Sequence, residues 1–129
     1  MTHTTSPVTQ AVILFGHGAR DPEWAGPMQQ IRQRMLEQAP GLHVELAYLE
    51  LMSPTLDVAV EALMAHGMTR IAVVPVFLAQ GGHLKRDLPV LLNAVRQRYP
   101  QCEFHLSRAV GEAPGVIAAI AAYGLSALG

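Results

Sequence analysis

Two histidines of this 129-residue chain stand among glycines: His17 between Gly16 and Gly18, and His83 directly after Gly81-Gly82. Glycine permits tight turns and close approach of a ligand to the backbone, while imidazole binds borderline metals or moves a proton near neutral pH. Taken alone, either histidine reads equally well as a loop side chain bonded to backbone. Glu50 is a third candidate, as an oxygen ligand or proton acceptor, although by itself it reads as a solvated carboxylate at a strand end. An anion-cradling turn is a weaker reading, because Gly16-His17-Gly18-Ala19 extends into neither a Gly-x-Gly-x-x-Gly nor a Gly-Lys-Ser/Thr pattern.

The other chemistry-bearing residues have plainer explanations. His3 lies in a polar opening segment, His43 begins a strand at the opposite edge, His66 sits near a helix C-terminus, and His105 lies within a strand and is expected to be packed. Cys102 is the only cysteine, which excludes an intramolecular disulfide and a multi-cysteine metal site, and it has no evident activating partner. Of nine basic residues, Arg20, Lys85, Arg86 and Arg108 fall in segments following the first, third and fourth strands. With a net charge of −1 there is no global field to draw the chain to nucleic acid or an anionic membrane. A local cluster of four cations would suit a carboxylate-rich ligand, against the simpler explanation that loops are commonly basic.

The elements that must position these residues follow from hydrophobic pattern. Half the residues are apolar and 15% are charged, as in a globular domain. Ala11-Val12-Ile13-Leu14-Phe15 is a continuous apolar run, the mark of a strand buried on both faces. Asp21-Pro22 opens a helix striped by Trp24, Met28, Ile31 and Met35, which Pro40-Gly41 ends. Residues 43–50 form the second strand, and Ser53-Pro54 opens a second helix with Leu56, Val60, Leu63 and Met64 inward and Gly67 as its stop. Residues 71–77 form the third strand, made irregular at its end by Pro75. Residues 79–86 are expected to be a loop, with Asp87 capping a third helix so that Pro89 falls in the first turn, and Leu88, Leu91, Leu92, Val95 and Tyr99 inward. A short fourth strand spans 103–107, and a last helix begins at Pro114.

Four strand–helix units predict an α/β fold: one three-layer, flavodoxin-like domain over residues 1–129, with residues 1–9 a flexible tail and a parallel sheet of order 2-1-3-4. Ligands of such sheets bind beyond the carboxyl ends of the strands, where the order reverses between strands 1 and 3. The segments bearing His17 and His83 follow those two strands, so both are expected at one crevice. No apolar run reaches the ~20 residues of a membrane span, and the opening segment lacks the order of a secretion signal, so a cytoplasmic protein is expected.

Together, Val12-Ile13-Leu14-Phe15-Gly16-His17-Gly18, Glu45-Leu46-Ala47-Tyr48-Leu49-Glu50-Leu51 and Pro75-Val76-Phe77-Leu78-Ala79-Gln80-Gly81-Gly82-His83-Leu84-Lys85-Arg86-Asp87-Leu88-Pro89 resemble the sirohydrochlorin chelatase family of CbiX type, in its order and spacing, over residues 11–99. The Gly-Gly-His-x-Lys-Arg-Asp-x-Pro block is the specific part. The resemblance implies a short-form class II chelatase that inserts Co²⁺, Fe²⁺ or Ni²⁺ into a tetrapyrrole without ATP or an organic cofactor, in cobalamin or sirohaem biosynthesis. It implies that His17 and His83 occupy the metal-binding and catalytic positions, with Glu50 at the acidic position of the second-strand motif. It further implies a homodimer with the cavity between subunits, and Arg20, Lys85, Arg86 and Arg108 gripping substrate carboxylates. Two other readings remain beside it: a non-catalytic metal or tetrapyrrole carrier, and a histidine-dependent phosphoryl-transfer enzyme. The latter lacks an arginine immediately before His17 and any phosphate loop.

The C-terminal segment carries no charged residue from Ala113 to Gly129, and its apolar side chains are spread around the helix. Such a helix is expected to pack on the sheet and to contribute to the dimer interface.

Overall fold

The computed structural model describes residues 9–129, with the backbone alone at His83; residues 1–8 of the expected opening tail, His3 included, lie outside the described residues. Strands β1 (Gln10–Gly16), β2 (His43–Tyr48), β3 (Arg70–Pro75) and β4 (Glu103–Leu106) form one parallel sheet of order β2-β1-β3-β4. Helices α1 (Gly26–Gln38), α2 (Leu56–Ala65), α3 (Gly82–Arg98) and α4 (Pro114–Ser126) alternate with the strands. No helix among the described residues is long and apolar enough to cross a membrane.

The alternation of side chains along β1 divides the core. Ala11, Ile13 and Phe15 face α2 and α3, meeting Leu56, Val60 and Leu63 of the one and Leu84, Leu88, Leu92 and Val95 of the other. Val12 and Leu14 face the other way, where Met28 of α1 packs with Val44 and Tyr48. Of the expected α1 stripe, Met28 is buried while Trp24 and Ile31 remain exposed. The Asp21 cap serves a single 3₁₀ turn, Pro22–Ala25, before α1 itself begins.

Three expectations are corrected. First, residues 82–86 are not loop: α3 starts at Gly82 with Gly81 as its N-cap, so Asp87 is not the cap and Pro89 lies well inside the helix. The spacing of Leu84, Leu88, Leu92 and Val95, in steps of four, four and three, explains this, since all four are buried on one face. Burying each leucine is worth about 1.5–3 kcal/mol, and three of them outweigh the ~3 kcal/mol cost of an interior proline. Leu91 stays exposed, and Tyr99 is the C-cap.

Second, α4 buries no residue and does not pack on the sheet: Tyr123 is 78% and Leu125 71% exposed. Its direction is set by the preceding turn, Val110–Glu112, against which it packs. Gly111 of that turn donates to the Phe77 carbonyl at 2.9 Å and lies so close to Leu78 that a Cβ there would come within 1.9 Å of the Leu78 carbonyl oxygen. Third, His105 is exposed rather than packed. It pairs with Ala72 on the α1 face of the sheet, on the β3–β4 side that α4 does not cover, where Ala72 is only half-buried.

Candidate active site at the carboxyl edge of the sheet

Hydrogen bonding continues past the carboxyl end of β1 on both sides. The Leu49 N–H donates to the Gly16 carbonyl at 2.9 Å, Glu50 N–H to the His17 carbonyl at 3.2 Å, and Val76 N–H to the Phe15 carbonyl at 2.8 Å. The Gly16-His17-Gly18 turn is thereby tied to the segment after β2 and to the end of β3. The two flanking glycines lie in close quarters, Gly16 against a flexible side chain and Gly18 against main chain. Gly16 lies under Met28, whose Sδ would be 2.5 Å from an added Cβ, and Gly18, at φ +95°, lies against the Glu50 carbonyl oxygen, 1.8 Å from where a Cβ would be. Only hydrogen fits at Gly18, which is how the turn and the Glu50 segment come into backbone contact.

The backbone pairing brings two of the three expected site residues together. Nδ1 of His17 is 4.0 Å from Oε1 of Glu50, with the side chains 53% and 56% exposed. The same Nδ1 lies 3.4 Å from the Gly18 carbonyl oxygen. Both neighbours of Nδ1 are acceptors, which favours the neutral tautomer protonated there, with the Nε2 lone pair left for a metal or a proton. Phe77 meets the imidazole edge-on at 6.5 Å between ring centres and packs in the same manner on Phe15 at 6.1 Å, linking the histidine to the core. The sequence reading placed Phe77 at the end of the third strand and gave it no part in the site; β3 ends at Pro75 and Phe77 lies just beyond it.

His83 is the second residue of α3, so it belongs to the helix that follows β3, at the same edge of the sheet. Lys85 and Arg86 follow on the first turns of α3, Arg20 lies in the loop after β1 and Arg108 in the loop after β4, all exposed. Arg108 donates to the Glu112 carbonyl at 3.3 Å. All four thus sit on segments leaving the carboxyl edge.

An apolar cleft of about 400 Å³ opens nearby between α2 and α3, lined by Phe15, Tyr48, Leu49 and Leu91, with Asp57 and Arg98 also on its wall. The Thr55 hydroxyl, donating at 2.6 Å, holds the Asp57 carboxyl below its usual range. His17 and Glu50 are not among the residues that line this cleft, which lies beside their pair. Cys102 is buried, and that burial, reinforced by the charge of Glu103, pushes its thiol up and away from reactivity.

The CbiX family model matches residues 11–123, a span that takes in the whole sheet, the histidine turn and α3. The chain belongs to the CbiX family. Among its relatives, a sirohydrochlorin cobaltochelatase of Methanopyrus kandleri is 42% identical over 83 residues, covering 64% of this chain and 58% of the relative. A sirohydrochlorin ferrochelatase of Priestia megaterium is 38% identical over 93 residues, covering 72% of this chain and 35% of the relative. This CbiX-family chain therefore matches only part of the length of those two relatives. Among solved structures, a CbiX protein from Marinobacter aquaeolei VT8, assigned by its name to cobalamin (vitamin B12) biosynthesis, superposes with a TM-score of 0.80 at 28% identity, covering 92% of this chain and 97% of that one.

Proposed function

We propose that this CbiX chain is a cytoplasmic enzyme that inserts a divalent metal, Co²⁺, Fe²⁺ or Ni²⁺, into sirohydrochlorin without ATP, in cobalamin- or sirohaem-type tetrapyrrole biosynthesis. The observation that carries the reading is the open imidazole of His17, its Nδ1 4.0 Å from the Glu50 carboxylate, on the sheet edge from which the His83 segment also departs. Relatives named for cobalt and iron insertion into the same tetrapyrrole supply the substrate class.

Metallation removes two pyrrolic protons and exchanges the water around the ion for four ring nitrogens. The Nε2 atom of His17 either holds the entering ion or accepts a pyrrolic proton; His83 takes the complementary part. Imidazole suits both tasks, since it binds borderline ions without enclosing them and titrates near pH 7. Glu50 acts on the far side of the His17 ring, where a carboxylate stabilises the imidazolium formed by proton uptake. Arg20, Lys85, Arg86 and Arg108 grip the peripheral carboxylates of the tetrapyrrole. Replacing Lys85 and Arg86 together by Ala is expected to raise KM roughly tenfold or more while kcat changes little, with wild-type KM rising with salt. Steady-state kinetics at two ionic strengths reads this.

A site whose two polar side chains are each more than half exposed does not by itself enclose a macrocycle. We therefore propose a homodimer in which a second copy closes the cavity. Among the described residues α4 buries none of its side chains and Val74 and Val76 are only half-buried; in the proposed dimer α4 of each copy lies against the other. Ala119→Glu is expected to shift the mass in light scattering from dimer to monomer; an unchanged dimer would remove α4 from the interface.

Absorbance assays of sirohydrochlorin with Co²⁺, Fe²⁺ and Ni²⁺ in parallel, without ATP, test the activity. Saturable acceleration with at least one metal is expected, and no acceleration with any of them would overturn the reading.

A further inference from the structure

At the edge of the sheet opposite His17, His43 opens β2 and His66 caps the C-terminal end of α2. Their ring centres lie 5.5 Å apart with the planes tilted by 47°. Nothing in the fold requires that pairing, since His66 is exposed and His43 half-buried. The Nδ1 atom of His66 lies 2.9 Å from the Ala62 carbonyl oxygen. A carbonyl only accepts, so Nδ1 carries the proton and Nε2 is left as a lone-pair donor. This is the orienting bond by which metal-binding imidazoles are commonly held.

We propose that His43 and His66 form a second metal site, a two-imidazole clip for a borderline divalent cation such as Co²⁺, Ni²⁺ or Zn²⁺. With metal–nitrogen bonds of about 2.0–2.1 Å, each ring centre lies roughly 3.2 Å from a shared ion, and a tetrahedral angle then sets the centres about 5.2 Å apart. The observed separation of 5.5 Å is close to that value. The C-terminal end of α2 adds the partial negative charge of its last carbonyls, which favours a cation there. Among the described residues no group of three or more His, Cys, Asp or Glu could hold an ion, so water fills the remaining positions. Such a site binds weakly and exchanges quickly, unlike a closed structural site. Hard cations such as Mg²⁺, which prefer oxygen ligands, are excluded by the donor set. The inference stands apart from the proposed reaction, because it uses neither His17 nor His83.

The test is a titration of the full chain with Co²⁺ followed by NMR of the imidazole nitrogens. The His43 and His66 signals are expected to shift or broaden together at micromolar to submillimolar metal, with one saturation curve. His66→Gln should abolish the response of His43, His43→Gln should abolish that of His66, and His17→Ala should leave both responses in place. If both rings stay unperturbed at millimolar Co²⁺, or if each responds independently of the other, the clip does not exist.

Discussion

His17→Ala is expected to lower kcat for metal insertion by about 10²–10⁴-fold, the usual contribution of a positioned proton-transfer group, while leaving the circular dichroism and melting temperature unchanged. The His17 side chain is more than half exposed, and among the described residues it meets the Gly18 carbonyl, the Glu50 carboxylate and the edge of Phe77. Its removal therefore opens no core cavity and leaves no buried polar group unsatisfied. A fall in rate with intact folding isolates the chemistry from stability. His83→Ala should give a loss of the same order, because base and ligand are both needed. The double variant should be far less than multiplicatively worse, as for groups that act as a unit. Glu50→Gln should cost less, since the carboxylate acts on the imidazole rather than on the macrocycle. A His17→Ala enzyme with undiminished rate would remove that residue from the mechanism.

Gly18→Ala is expected to be the most destabilising small substitution at the site, by about 3 kcal/mol or more, with a fall in melting temperature of roughly 10 °C or more. Two costs add. The positive φ of +95° strains any residue with a side chain, and the new methyl would be driven into the Glu50 carbonyl oxygen, 1.8 Å away. That oxygen is main chain and cannot rotate aside. The turn must move, breaking the Glu50 N–H bond to the His17 carbonyl, and activity should fall with stability. Gly81→Ala serves as the control, because open space surrounds a Cβ there and φ is −64°. Thermal melts of the two variants beside wild type read the difference.

Much of this arrangement was legible in the sequence, and the exceptions share a physical cause. The apolar run of β1 and the four strand–helix units led to the observed order β2-β1-β3-β4, and that order placed the segments of His17 and His83 at one edge. The proximity of Glu50 to His17 also followed, since parallel pairing of β1 with β2 brings residues just past the two strand ends together. What escaped the sequence depends on competition between signals or on contacts distant along the chain. Pro89 suggested a late start to α3, while the Leu84–Leu88 spacing argued for an earlier one, and burial decided for Gly82. The apolar surface of α4 announced burial without naming the partner, and the Gly111 turn directs it away from its own sheet. His105 was misjudged for the same reason, because its exposure depends on a face that α4 leaves open. The approach of His43 to His66 had no local signal, as it depends on how α2 lies along β2.

The central claim is that this chain catalyses metal insertion rather than merely holding metal or tetrapyrrole. The most direct measurement is the amount of metallated product formed when sirohydrochlorin and Co²⁺ are in large excess over protein, followed by absorbance without ATP. Catalysis predicts product far beyond one equivalent per chain, formed at a constant rate until substrate is consumed. Product that stops at one equivalent per chain or per dimer, or a rate equal to that without protein, would contradict it.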